Sequence, residues 1–439
     1  MHTKKHLSLE SLVEGFHKIV SKFNDCRSAD VDYSLNDIVL SGFACMFFQE
    51  PSLLQFQKRM QDELENNNLR TLFGVNDIPE STQLRKVIDA IPGEKFSAVF
   101  KEFFRRLQRG KHLEQFQFYR GKYLISIDGT QYFSSNKLSC EHCLRKEHKD
   151  GELSFSHQAL QAAMVHPGIK QVIPLMAEDI SNIDGNTKQD CEINAAKRSI
   201  SRIRSEHPQL DMIILGDALF SKQPMIEKIR QHGMSYIFGV KPGGNKLLFQ
   251  DLAEYELNEL RVEKEQGKIY LYRWINEVAL NGREDSISVN FFELQILVPD
   301  QRGAFKTNFR SSWVTDFNIS EQVVQRLVSA ARCRWKIENE CFNNLKNQGY
   351  HLEHNFGHGE QYLSFNFYLL TLLAFFAHQV FELTDKTFVA CRQKFGSKQY
   401  LWEKLRSAIE WFIFTSWQDL LNFVLARDDS RFQFVAQPP

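Results

Sequence analysis

The chain reads as an α/β protein in which helical segments flank a mixed sheet, and three features of the sequence predict this. Apolar residues recur at helical spacing up to about residue 118 and again beyond Gly359. Between these segments lie short β-branched, apolar runs of the kind that form buried strands, each followed by a helical period. From 242 to 318 the pattern changes to polar–apolar alternation, as in antiparallel strands. The chain accordingly divides into 1–118, an N-terminal helical region; 119–241, the first part of an α/β core; 242–318, a β-rich insertion; 319–360, a long helix completing the core; and 361–439, a C-terminal helical region.

In the first region Ser34 is placed to cap a helix running to Phe48, Asn76 to Glu80 forms a turn, and Ser81-Thr82-Gln83 opens a short helix ending near Ile91. A further helix covers Phe96 to Leu107. A helical DNA-binding module fits this region, and so does a scaffold that packs on the core. The core then begins with a strand at Tyr123 to Ile127, strands at Phe155 to Val165 and Gln171 to Met176, and an amphipathic helix at Asn186 to Ser205. Met212 to Leu215 is a buried strand, Gln223 to His232 a helix and Tyr236 to Val240 a strand. After Lys241-Pro242-Gly243-Gly244 the alternating runs Ile269 to Val278, Ser286 to Val298 and Phe305 to Thr315 read as antiparallel strands. A helix follows from about Ser320 to Asn347. The longest apolar run, Tyr362 to Phe381, carries Ser364, Asn366, Thr371, His378 and Gln379. So many polar groups fit a buried or interfacial helix better than a membrane span, so no membrane partner is expected.

With 43% hydrophobic and 25% charged residues over 439 positions, the composition excludes a disordered chain and exceeds a single small domain. The 37 Phe point to large buried surfaces. A formal net charge of zero gives no global bias toward nucleic acid. Locally, Lys101, Arg105, Arg106, Arg109, Lys111, Arg120 and Lys122 cluster before the first core strand, where they can track a DNA backbone or form an ordinary solvated helix face. Eight irregularly spaced Cys behind a polar N-terminus predict a reducing, cytoplasmic setting.

Two strand-like runs finish on an aspartate, Tyr123-Leu124-Ile125-Ser126-Ile127-Asp128-Gly129 and Met212-Ile213-Ile214-Leu215-Gly216-Asp217, and the late helix carries Arg334-Trp335-Lys336-Ile337-Glu338-Asn339-Glu340 followed by Lys346. A hard cation such as Mg2+ binds through one or two carboxylates, keeps several waters and takes its other ligands from substrate phosphate. Neighbouring parallel strands lie about 4.8 Å apart, so acids at their ends can bridge two metals roughly 3.5 to 4 Å apart. Arg334, Glu338 and Lys346 project from one broad side of a helix, where Glu338 can serve as a metal-binding acid or simply pair with Arg334, whereas Glu340 lies about 200° round from Glu338 and pairs naturally with Lys336.

At these residues the chain resembles the DDE transposases of bacterial insertion sequences, in the group marked by a Tyr-Arg-Glu-Lys signature on the last catalytic helix. The likeness covers roughly 120 to 360 and is sharpest at Ile127-Asp128-Gly129-Thr130, Leu215-Gly216-Asp217 and Arg334 to Lys346. It implies an RNase H-like core, whose order of three strands, helix, strand, helix and strand fits the pattern above, with a β-rich insertion before the last helix. It further implies two Mg2+ (or Mn2+) ions held by Asp128, Asp217 and Glu338, and DNA phosphates contacted by Arg334 and Lys346. The substrate would be double-stranded DNA, both terminal inverted repeats and target, cut and joined by a nucleoid-associated homodimer bridging two ends. The chain departs from the signature twice: Ala331 stands where Tyr is expected, and Glu338 to Lys346 is one residue longer than the usual spacing. Two other readings stay open, a transposase-derived DNA-binding protein that does not cut and a metal-dependent nuclease that does not join strands.

Outside this constellation, Cys140 and Cys143 form a Cys-x-x-Cys pair that can hold two corners of a structural Zn2+ site, with His148 and His157 as the other two. Reduced, unligated thiols are the competing reading. Trp335, Phe342 and Tyr350 are either core residues or platforms for a displaced base, and His351, His354 and His358 follow the late helix closely enough to reach a phosphate. Gly129 and Gly216 beside the two aspartates leave room for DNA or simply relieve the strand ends.

Overall fold

The structure, a computed structural model, describes residues 5–25, 27, 31–60, 67–182, 189–300 and 304–426. Six helices come first: α1 Leu9–Val20, α2 Leu35–Phe47, α3 Leu53–Met60, α4 Asn68–Phe73, α5 Ser81–Asp89 and α6 Ser97–Arg109. Ser34 caps α2 as its sequence position implies, accepting from the Asp37 amide at 3.0 Å. The core follows as β1 Gln117–Tyr119, β2 Lys122–Ser135, β3 Leu144–Glu147, β4 Leu153–His166, β5 Ile169–Pro174, β6 Glu178–Ile180, α7 Glu192–Glu206, β7 Met212–Gly216, α8 Gln223–Gln231 and β8 Ser235–Val240. Then come α9 Lys246–Leu252, β9 Asn258–Glu263, β10 Ile269–Ala279, β11 Ser288–Pro299, β12 Phe305–Thr315 and α10 Glu321–Cys333. A π-helical segment, Ile337–Phe342, leads into α11 Asn343–Asn347, and α12 Leu363–Thr384, α13 Lys386–Phe395, α14 Lys398–Trp411 and α15 Trp417–Ala426 complete the described chain. The first three residues of the helix expected at 186 to 205 lie outside the described residues.

The twelve strands among the described residues belong to one mixed sheet with the main order β3-β4-β2-β7-β8-β12-β11-β10-β9. β2 is antiparallel to β4 and parallel to β7, which is parallel to β8. Every residue of β7 is buried, the continuous apolar pattern of a strand covered on both faces. β2 runs well past the short strand expected from its apolar residues, because β4 pairs with it from Leu124 opposite Val165 to Ser135 opposite Phe155. The strands from 242 to 318 extend the same sheet, since β12 hydrogen-bonds antiparallel to β8. β3 and β9 have no apolar run to announce them; both are charged strands at the ends of the sheet, where charge blocks unwanted pairing.

The helices before residue 118 and after residue 361 form one body around α12. This helix passes the length and hydropathy test for a membrane span, yet 83% of its most apolar window is buried inside the protein. Its polar residues find protein partners: Asn366 donates to the Ile88 and Ile91 carbonyls at 2.8 and 2.7 Å, His378 Nδ1 meets the Tyr350 hydroxyl at 2.6 Å, and Gln379 accepts from the Val172 amide at 3.2 Å. Its N-terminus is capped from α5: the Asp89 carboxylate accepts from the amides of Glu360, Gln361, Tyr362 and Leu363 at 2.8–3.0 Å. Phenylalanines line this body edge to face, as in Phe16–Phe43 (5.1 Å between centroids), Phe103–Phe376 (5.7 Å) and Phe47–Trp417 (5.3 Å).

Candidate active site

β2 and β7 place two acids side by side. Their last paired residues are Ser126 and Leu215, and Asp128 and Asp217 each follow two residues later, so the carboxylates leave adjacent parallel strands at the same level. In a strand, residues two apart share a face. Ser126, on the face of Asp128, donates through Oγ to the Arg334 carbonyl at 3.2 Å and so ties this face to the end of α10. One guanidinium nitrogen of Arg334 then reaches both Asp128 Oδ2 at 3.0 Å and Glu338 Oε1 at 2.8 Å. Asp217 is fixed by its own turn, with Oδ1 accepting from the Leu219 amide at 2.8 Å.

The electrostatics of Asp128 follow from this crowding. Burial raises its carboxyl, Arg334 opposes the rise, and the charges of Glu338 and Asp217 with a hydrogen bond to Glu338 add to it, so that the group titrates at about 7. A fourth acid that the sequence did not single out sits beside them. A Cβ on Gly129 would lie 2.3 Å from Glu192 Oε1, so the space left by that glycine is filled by the Glu192 carboxylate and not kept open for DNA. Burial and the Asp217 charge raise the Glu192 carboxyl as well. An acid in the first turn of a helix is ordinary N-terminal charge, which is why its position at the start of α7 gave no signal. Gly216 has a packing reason: a Cβ there would lie 2.8 and 2.9 Å from Phe220 and Phe238. As a set, the carboxylates do not draw within 4.8 Å of one another; among the described residues the cluster that does is the Cys/His group described below.

Glu338 lies in the π-helical segment, not in the regular helix expected from 320 to 347. A π turn takes up one residue more than an α turn. Lys346 itself pairs with Glu353 at 2.8 Å, and the structure does not join it to the acids. Lys336 donates to the Ile169 carbonyl at 2.5 Å, which replaces the Lys336–Glu340 surface pair expected from their spacing. Ala331, at the Tyr position of the signature, is buried.

A cleft of about 950 Å³ opens from Asp217 between the end of β8, β12 and α10. Its cations are Lys241, Arg310, Arg332 and Arg334, and Trp335 lies on its wall with 55% of its surface exposed. The Arg334 guanidinium stands 5.3 Å over the Trp335 ring, and Arg332 stands 5.2 Å over Phe309. Phe342 and Tyr350 are buried in the core, so of the three aromatics considered only Trp335 faces open space. The basic run before β2 is only partly paired, and Lys101, Arg109 and Lys111 are exposed. Arg105 and Arg106 both pair with Glu102, Lys122 lies 3.7 Å from Asp211, and Arg120 stacks over Tyr119.

A second cluster lies further along the same strands. Cys140 and Cys143, between β2 and β3, meet His157 of β4 and His358 of the segment before α12, their donor atoms all within 4.8 Å of one another; this group can hold a metal ion. The expected quartet is corrected at one position. His148 is exposed beyond β3, its Nε2 2.9 Å from Ser154 Oγ, and His358 takes its place. The sequence offered His358 only as a phosphate contact and not as a partner of the thiols, because it stands 215 residues from Cys143 and no local spacing reports a contact that the sheet and α12 create.

No protein-family model and no curated protein matches this chain.

Proposed function

We propose that this chain is a DDE-type DNA transposase, cleaving phosphodiesters at the ends of an insertion sequence and joining the freed 3′ hydroxyls to target DNA. The observation that carries the reading is the level placement of Asp128 and Asp217 on adjacent parallel strands, with Glu338 brought to Asp128 from a helix 210 positions later in the sequence. The order of three antiparallel-paired strands, helix, strand, helix and strand, with the first strand central, supports an RNase H-like core. The strands at 242 to 318, inserted before the acid-bearing helix, support it further.

The donor set at this site is all oxygen, and three crowded carboxylates balanced by one guanidinium leave negative charge for a hard cation. Asp128, Asp217 and Glu338 would hold Mg2+ (or Mn2+), in two ions, with Glu192 beside them as a further negative charge. Bound there, the metal supplies a water of lowered pKa and a counter-charge for the leaving 3′ oxygen. The protein's own part is to bind and orient. Arg332, Lys241 and Arg334 present cations along the cleft for phosphate oxygens, and the exposed Trp335 ring offers a stacking surface for a base drawn from the duplex. Arg334 has a second task, holding Asp128 and Glu338 at a fixed separation. Attack of water on phosphorus, with the 3′ oxygen as the leaving group, needs no Ser or Tyr nucleophile.

The test is nicking of supercoiled plasmid and strand transfer from pre-cleaved ends in Mg2+ or Mn2+. Wild-type protein should do both, while Asp128→Ala and Glu338→Gln should lose nicking by roughly 10³-fold, equivalent to about 4 kcal/mol of barrier, and still retain DNA. Nicking without transfer would reduce the protein to a nuclease. DNA binding without nicking by the wild type would leave a transposase-derived binding protein, and retained nicking by Asp128→Ala would remove these acids from the chemistry.

A further inference from the structure

The Cys140, Cys143, His157 and His358 cluster has the dimensions of a filled coordination sphere. A tetrahedron built from Zn–S of about 2.3 Å and Zn–N of about 2.05 Å has edges of about 3.75 Å between sulfurs, about 3.55 Å from sulfur to nitrogen and about 3.35 Å between nitrogens. The corresponding separations are 3.7 Å for Cys140 Sγ to Cys143 Sγ, 3.6 Å for Cys140 Sγ to His157 Nε2, 3.4 Å for Cys143 Sγ to each imidazole Nε2, and 3.1 Å between the two Nε2 atoms. All five fall within about 0.3 Å of the zinc figures.

Hydrogen bonds around the cluster aim the donors inward. His358 Nδ1 lies 3.0 Å from the Gly359 carbonyl, which can only accept, so Nδ1 carries the proton and the Nε2 lone pair is directed at the thiols. Gly357 and Gly359, on either side of His358, have φ of +149° and +71°, and a Cβ on Gly359 would lie 2.4 Å from the Leu363 side chain and 2.5 Å from Asp89. The backbone that presents His358 is thus one that only glycine permits. On the other side, the Cys143 amide closes the Cys-x-x-Cys turn on the Cys140 carbonyl at 3.3 Å, and Asn182 donates to the Cys143 carbonyl at 3.0 Å. Phe133 of β2 walls the group, its ring centroid 4.7 Å from His358 and 5.6 Å from His157.

We propose that these four side chains bind one Zn2+ in a closed structural site that fastens the segment leaving the π-helical region to the β2–β4 part of the sheet. Two thiolates and two imidazoles suit zinc and not Mg2+, which separates this centre from the acids. Four protein ligands leave no position for a reacting water, so the role is mechanical. Cys143 and His157 stand 215 and 201 residues from His358, and the metal closes that whole loop. Phe133 follows Asp128 by five residues on β2, roughly 16 Å along the strand, so the staple and the acids share an element without sharing a ligand.

The site is independent of the DNA chemistry and is tested without substrate. Full-length protein purified without metal-affinity resin or chelator should contain one zinc per chain by elemental analysis, and so should His148→Ala. Cys143→Ser and His358→Ala should lose zinc affinity by at least roughly 100-fold. Removal of zinc should lower the thermal midpoint by roughly 5–10 °C and speed amide exchange in residues 348–362. Should the variants fail to fold, Co2+ added to metal-depleted wild-type protein decides the matter: intense visible bands of tetrahedral Co2+ with thiolate charge transfer support the site, and octahedral Co2+ spectra overturn it. Zinc-free wild-type protein, a Cys140–Cys143 disulfide, or zinc lost in His148→Ala but kept in His358→Ala would also overturn it.

Discussion

Asp128 shows at the scale of one residue how burial and like charge raise a carboxyl. Its pKa of about 7 means that the folded, metal-free protein keeps a proton between about pH 4 and pH 7 that the unfolded chain has already released. The stability contributed by this group is therefore largest below about pH 4 and declines as pH rises toward 7. Under the proposed function Mg2+ displaces the same proton, so its apparent affinity should rise about tenfold per pH unit below 7 and level off above it. Mg2+ titrations of plasmid nicking between about pH 5 and pH 9 measure this, and a flat profile would contradict the assignment. Glu192 belongs to the same field. Glu192→Gln should raise the Mg2+ concentration needed for half-maximal nicking on the order of tenfold with little change in thermal stability. An unchanged Mg2+ requirement would reduce Glu192 to an ordinary helix-start acid. Asp128, Asp217 and Glu338 were legible because a strand ending on an acid, or an acid at helical spacing from an Arg, leaves a local pattern. Glu192 and His358 were not, because each is assigned by what faces it across the fold.

Among the elements, α12 owes its place to partners that no segment contains alone. Its apolar length would serve in a bilayer, but Asn366, His378 and Gln379 find acceptors and donors on α5, the Tyr350 loop and β5, and four amides at its start converge on Asp89. Asp89→Ala should remove that cap and cost about 1–2 kcal/mol, the upper range for N-terminal caps, read as a lower denaturant midpoint with an unchanged slope. A variant as stable as wild type would show that water replaces the carboxylate without loss. The π-helical segment makes a related point. A regular helix was the reading of 320 to 347, since periodicity cannot register one extra residue inside a turn.

For the whole molecule, the sheet and the helical body are held by chain segments from both ends. α12 touches α2, α5 and α6 on one side and β5 on the other, so the helices before residue 118 cover apolar surface that the core alone would expose. A fragment comprising 119–426 should aggregate or bind apolar dyes on expression, whereas the full chain unfolds in one transition that includes the N-terminal helices. A monomeric, well-folded fragment would show that the N-terminal helices are dispensable to the core. The continuous sheet carries the same implication for residues 242 to 318, whose strand β12 hydrogen-bonds to β8 and cannot detach without opening an edge.

The sequence by itself determined the order of the main core strands and helices, the strand-end positions of two acids, the polar character of α12 and the Cys-x-x-Cys half of the metal cluster, because each is written within a few residues as periodicity or spacing. Only the tertiary structure decided that Asp128 and Asp217 stand level, that Arg334 reaches Asp128, that Glu192 fills the space over Gly129 and that His358 in place of His148 completes the Cys/His group. Those are contacts between segments far apart in the chain, set by strand register and helix packing, and no local pattern of residues encodes which distant side chain will arrive.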